Sequence, residues 1–140
     1  MRLTVLVLAF VTAVSAAIVP KKNELVGTWT LSRAVSRGEE INPARFLEVT
    51  RTFDDQFFVV KQGDKVLLRA RYSIDVSTSP KRFDTEYLNG PQSGAVVHGI
   101  YKVSADELKI CITLDGGAAP ARFESLKGSK TALDFYERKE

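Results

Sequence analysis

The side chains able to do chemistry in this chain are few. "VVHGIY" holds the only histidine, His98, and "LKICIT" the only cysteine, Cys111. "SRGEEIN" and "TFDDQF" hold adjacent carboxylates, Glu39-Glu40 and Asp54-Asp55. A histidine works as a general base only with a nucleophile or carboxylate within hydrogen-bond reach, and no G-x-S-x-G elbow offers one. A lone Cys and a lone His lack the further nitrogen or sulfur ligands that a structural zinc needs. Calcium takes about six to eight oxygens, and neither acidic pair lies in a segment dense in Asp and Asn. A glycosidase pair needs carboxyls set across a cleft, and nothing in the sequence proposes one. His98 therefore reads as a hydrogen-bonded strand residue and Cys111 as a small packing residue. The acidic pairs read as solvated. The expectation is a non-enzymatic protein with no catalytic residue, no metal and no cofactor.

The elements that carry these residues follow period two rather than 3.6. "ELVGTWTLSRA" sets Leu25, Gly27, Trp29 and Leu31 on one face. "KVLLRARYSID" does the same with Val66, Leu68, Ala70, Tyr72 and Ile74, and "ELKICITLD" with Leu108, Ile110, Ile112 and Leu114, leaving Cys111 on the other side. "VTRTF", "QFFVVKQ", "KRFDTEYL", "AVVHGIYKV", "ARFES" and "TALDFYER" complete the strands, with a helical turn started by Pro43 in "PARFLE". Turn signals recur at roughly 8 to 12 residues, the spacing of an all-β barrel or sandwich. Short sequential connections favour an up-and-down meander, and closure into a barrel removes its exposed edges. Gly99, inside a strand, marks a bend or a close approach.

Ahead of the strands, "MRLTVLVLAFVTAVSAA" combines a basic start at Arg2, an apolar stretch from Leu3 to Val14 and small residues after it. This is the pattern of a secretory leader. The spacing of Val14 and Ala16 places cleavage after Ala16, with Ala17 the next candidate. The apolar run is short of the ~20 residues of a spanning helix. The expected division is a signal peptide over 1–16 and one domain over 17–140, exported to the periplasm or the medium, with no membrane span in the mature form. Loss of Arg2 takes the 20 basic side chains to 19, against 17 acidic ones. That balance, with no block of basic residues, argues against nucleic acid.

Gly27-Thr28-Trp29 on the first strand resembles the G-x-W start of lipocalin-type barrels. The ordered set "LVGTWTL", "RTFDDQFFVV", "SPKRFD", "GIYKVSADELKIC", "PARFES" and "LDFYERK" resembles a family of small exported domains abundant in planctomycetes, lipocalin-like in pattern and without an established function. The likeness runs from about Leu25 to Lys139. It departs at Ala119, where the family has an arginine before the proline, so no role of that arginine carries over. The resemblance implies a lipocalin-like up-and-down antiparallel barrel of about eight strands. It also implies a closed end where Trp29, beside Gly27, packs under a basic residue of the last strand, here Arg138.

An eight-stranded barrel is wide enough for side chains or for one small ligand. The expected function is an exported binding domain for a small apolar or amphipathic ligand held in the barrel. Tyr72, Phe83, Tyr87, Tyr101 and Phe123 are the candidate lining, apolar walls with a few hydroxyls. A filled barrel is the alternative. In a filled barrel, the loops around "SRGEEINPARF" and "NGPQSGAV" are the candidate surfaces for another protein or a cell-envelope polymer. The volume of the interior separates the two readings.

Overall fold

Alternation of buried and exposed side chains sets the strands in the computed structural model, which describes residues 23–140. The leader expected over residues 1–16 and its cleavage point lie outside the described residues. The strands are β1 (Gly27–Ser36), β2 (Glu39–Glu40), β3 (Val49–Phe53), β4 (Phe57–Gln62), β5 (Lys65–Asp75), β6 (Lys81–Tyr87), β7 (Val96–Val103), β8 (Glu107–Thr113) and β9 (Thr131–Arg138). A single 3-10 turn covers Pro43–Phe46. Apart from the two-residue β2, which only extends the β1 hairpin, each strand pairs antiparallel with its neighbours, and β9 returns to β1. The result is an all-β, closed, eight-stranded up-and-down barrel. No helix among the described residues is long and apolar enough to cross a membrane.

Closure depends on the first and last strands. Trp29 faces Arg138 and Leu31 faces Tyr136, then the register shifts before Arg33 pairs Phe135. The shift gives β1 an extra residue, the local irregularity by which a sheet gains the bend that closure needs. The segment "ARFES" is not a strand; residues 114–130 form one long connection from β8 to β9. This connection lies against the outside of the barrel. Its Ala119 and Phe123 pack with Phe135 over a second cluster of Val35, Ile100, Cys111 and Leu133, on the wall facing away from the interior. Apolar residues on both sides of β8 explain why its sequence reads as nearly continuous.

Cys111 is fully buried beneath this strap, and its Sγ donates to the Glu124 carbonyl at 3.5 Å. Burial pushes the thiol above its usual value, and the thiolate is the reactive species. Native protein at pH 8 is therefore expected to resist a disulfide reagent such as Ellman's, and unfolded protein to react stoichiometrically. Fast reaction of the native protein would show that the strap does not hold. Gly99 lies on β7 where an added Cβ would meet the Cys111 carbonyl oxygen at 2.7 Å. A close approach, rather than a bulge, accounts for glycine there.

Candidate functional site

At the pole where β1 begins, Trp29 is fully buried and donates from Nε1 to the Leu25 carbonyl at 2.9 Å. Arg138 lies over its ring, 4.1 Å from Cζ to centroid. The same guanidinium donates to the carbonyls of Ala105, Val26 and Glu24 at 2.8, 3.3 and 3.1 Å. Gly27 has φ of +131°, and a Cβ there would stand 2.9 Å from Arg138 Nη1. The three residues singled out in the sequence thus form one cap. Its donors are spent on backbone carbonyls, so the cap closes the barrel and leaves little for a ligand.

Above it the interior is packed with rings. Tyr72 stacks near Phe83 at 5.6 Å and meets Phe53 edge-on at 5.2 Å, and Phe83 reaches Tyr101 at 6.2 Å. Tyr72 accepts from Asn23 Nδ2 at 2.8 Å and donates to the Asp54 carbonyl. Burial pushes its hydroxyl up to about 12. Asp54, read from sequence as solvated, is exposed and also caps the β3–β4 turn: its Oδ1 accepts from the amides of Gln56 and Phe57 at 2.8 and 2.7 Å. Those bonds hold its carboxyl below the ordinary range.

Of the five aromatics expected to line a cavity, Tyr72, Phe83 and Tyr101 belong to this packed cluster and Tyr87 flanks it. Phe123 does not join them: it sits on the outer strap, with Lys109 Nζ 5.1 Å from its ring. Phe123 and Tyr101 meet only at an external depression of about 430 Å³.

Toward the opposite pole the interior becomes polar. Arg51 pairs with Trp29 in register and with Val60 on the other side, so its side chain shares their inward face. Its guanidinium lies 4.5 Å from the Phe58 ring centroid and 5.3 Å from that of Tyr136, and Nε is buried with no hydrogen-bond partner. Asp134 faces it across the compartment and accepts from Tyr136 Oη at 3.3 Å. Desolvation raises the Asp134 carboxyl above its usual value, more than the Arg51 charge lowers it. Desolvation also raises the Tyr136 hydroxyl. Arg51, Thr85, Tyr87 and Asp134 border a void of about 20 Å³. That is about the room of one water molecule, far below the ~300 Å³ of a small-molecule pocket. Phe46, from the 3-10 turn, packs against the interior cluster from above. Sequence reading missed Arg51 and Asp134. The signal was period two itself, which puts Arg51 on the face of Val49 and Phe53.

The loops of this upper pole are locked together. Gly38 N donates to Ser125 Oγ at 3.0 Å and Arg37 N to the Thr131 carbonyl at 2.9 Å. At Gly38, with φ of +81°, a Cβ would stand 2.2 Å from the backbone nitrogen of Lys127, so the two loops meet backbone to backbone. Around them Leu47 and Leu126 are 63% and 60% exposed, and Val96 and Leu88 are 49% and 40% exposed.

His98 stands on the outer wall. Its Nδ1 is 2.7 Å from Asp84 Oδ1, which also accepts from Arg82 Nη2 at 3.0 Å. Register places Ser73 beside Asp84 on its far side from His98. The carboxylate thus separates hydroxyl from imidazole, the reverse of the order in which an imidazole activates a serine. No protein-family model matches this chain. No curated protein matches it. The assignment of a role therefore rests on geometry.

Proposed function

We propose that this chain is an exported, non-enzymatic binding domain: a filled barrel that engages another protein or a cell-envelope polymer through the loops of its upper pole. The carrying observation is the contrast between the two places where a ligand could go. The interior bounded by described residues keeps a void of about 20 Å³, while Leu47, Leu88, Val96 and Leu126 remain in water around one pole. Clustered exposed aliphatics on a rigid frame are a signature of interaction sites. The leader pattern and the likeness to small exported lipocalin-like domains support export.

A second reading keeps the small-molecule ligand. It rests on the unpartnered Nε of Arg51 facing Asp134 beneath Phe46, and it requires the Phe46 turn to lift. Native mass spectrometry of protein purified from its source without detergent separates the two. The expected spectrum shows the bare chain before and after organic extraction, with no uptake of apolar fluorescent probes. A stoichiometric mass lost on extraction would overturn the filled-barrel reading and establish the ligand beneath Phe46.

A further inference from the structure

The cations that look scattered in sequence are not scattered on the barrel. Beyond the bulge, β5 turns Leu67, Arg69 and Arg71 outward while Leu68, Ala70 and Tyr72 face in. Lys65, paired with Gln62 before the bulge, is exposed at the rim of this wall. Residues two apart on one strand face are about 6.7 Å apart, so Arg69 and Arg71 are near neighbours. Lys61 adds a fourth exposed cation from the adjoining strand β4. None of the four takes part in an ion pair among the described residues. Arg71 is steadied over the Phe57 ring at 5.4 Å. The carboxylates near this wall are Glu86, opposite Arg71, Asp64 in the turn and Glu48, whose Oε2 lies against Gly63. Four cations thus face three carboxylates, and few carboxylates stand beside Arg69 and Lys61.

Two leucines are set among these cations. Leu67, which the register shift between β4 and β5 leaves unpaired, is 43% exposed between Lys65 and Arg69. Leu88, whose amide donates to the Arg69 carbonyl at 2.9 Å, is 40% exposed.

We propose that this β4–β5 wall docks on an anionic lipid bilayer, its cations against the headgroup phosphates and Leu67 and Leu88 in the interfacial layer. Charge alone would fit any polyanion. Aliphatic side chains interleaved with the cations choose the lipid surface, because a soluble polyanion would leave them in water, whereas a bilayer interface accepts both. The wall shares Leu88 with the loop pole, but its cations and Leu67 lie on β4 and β5, so the proposal does not depend on what the loops bind.

The test is flotation of the full chain with vesicles of phosphatidylcholine alone and of phosphatidylcholine with 30% phosphatidylglycerol. The readout is the change that each variant makes in the gain in affinity on the anionic vesicles, since residues 1–22, with Arg2, Lys21 and Lys22, contribute equally to parent and variants. The wall variant is Lys61→Gln/Arg69→Gln. The charge-matched control is Lys102→Gln/Lys139→Gln, at two exposed positions elsewhere. At about 1 kcal/mol per juxtamembrane cation, the wall variant is expected to lose about thirtyfold of that gain and the control to keep it. Leu67→Gln is expected to cost about tenfold on the same vesicles, and added salt to weaken binding. Thermal melts of each variant confirm the fold. An equal loss in the control, or no preference for anionic vesicles, would overturn the proposal. Binding to dextran sulfate as tight as to vesicles, with Leu67→Gln silent, would overturn it in favour of a soluble polyanion.

Discussion

Trp29→Ala is expected to destabilise the barrel by about 3–5 kcal/mol, the range for removing a large buried aromatic. Three losses coincide at this position. The indole is fully buried, so its truncation leaves a cavity at the closed pole. The Leu25 carbonyl loses the Nε1 donor. Arg138 loses the ring beneath its guanidinium, a contact worth about 0.5–2 kcal/mol. Because Arg138 also joins the carbonyls of Glu24, Val26 and Ala105, the damage reaches the chain entry and the β7–β8 turn. Trp29→Phe, which keeps most of the volume, is expected to cost less than half as much. Urea unfolding followed by circular dichroism measures both, since each variant lacks the only tryptophan. A cost below about 1 kcal/mol for Trp29→Ala would show that the cap is not what closes this end.

Arg51→Met is the second large effect, and its size is expected to depend on pH. The substitution keeps an unbranched side chain in the space but removes the charge that lies over Phe58 and Tyr136 and offsets Asp134. Without Arg51 the carboxyl can only be charged at full desolvation cost or stay protonated. At pH 7 the expected loss is about 3 kcal/mol, from cation–π contacts and an uncompensated carboxylate together.

The sign with pH follows from linkage. The folded-state value of Asp134 is raised, so the folded protein binds more protons than the unfolded one above the ordinary carboxylate value. Stability attached to this group is then greatest below the usual 3.8 and falls as pH rises through the raised folded value. Removal of Arg51 raises that value further and steepens the fall, so the cost of Arg51→Met shrinks toward pH 4. Asp134→Asn should flatten the dependence in both backgrounds. Arg51→Met/Asp134→Leu should recover much of the pH 7 loss, as apolar replacements of buried charges often do. Denaturant titrations at pH 4 and pH 7 decide the matter. A cost independent of pH would mean that Asp134 is not coupled to Arg51.

What could be read from the sequence was what depends on local periodicity. Leu108, Ile110 and Ile112 on one face with Cys111 on the other is a statement about one strand, and period two delivers it. The turn at Gly63 and the loop around Asn89-Gly90 depend on a few adjacent residues and were equally plain. "ARFES" read as a strand because Phe123 is flanked by polar residues. Its aromatic ring instead covers the outer wall near Leu133 and Phe135, a partner that only the folded sheet supplies.

The polar compartment was hidden for a related reason. Period two puts Arg51 on the face of Val49 and Phe53, but Arg51 and Asp134 lie on different strands, and neither "VTRTF" nor "TALDFYER" alone says that the two meet. The charged wall was hidden by the same alternation that built it. Lys61, Arg69 and Arg71 lie on two strands and are interrupted by inward apolar residues, so they form no run in sequence and one patch in space.

The pairing of β1 with β9 bears on how the chain is made. Each inner strand, β3 to β8, meets a partner that lies next to it in sequence, so those hairpins can form as synthesis proceeds. The seam is different, because contacts such as that of Arg138 with the Glu24 carbonyl span 114 residues. Until β9 leaves the ribosome, β1 and β8 both present unpaired amides and carbonyls, the edges on which chains associate wrongly. Val35 of β1 and Cys111 of β8 lack their outer-wall neighbour Leu133 over the same interval. Deletion of the last few residues would therefore do more than fray a terminus: it would leave a curled sheet with two open sides. Completion of this barrel waits on β9, and the chain is most exposed to aggregation while β1 and β8 stand open.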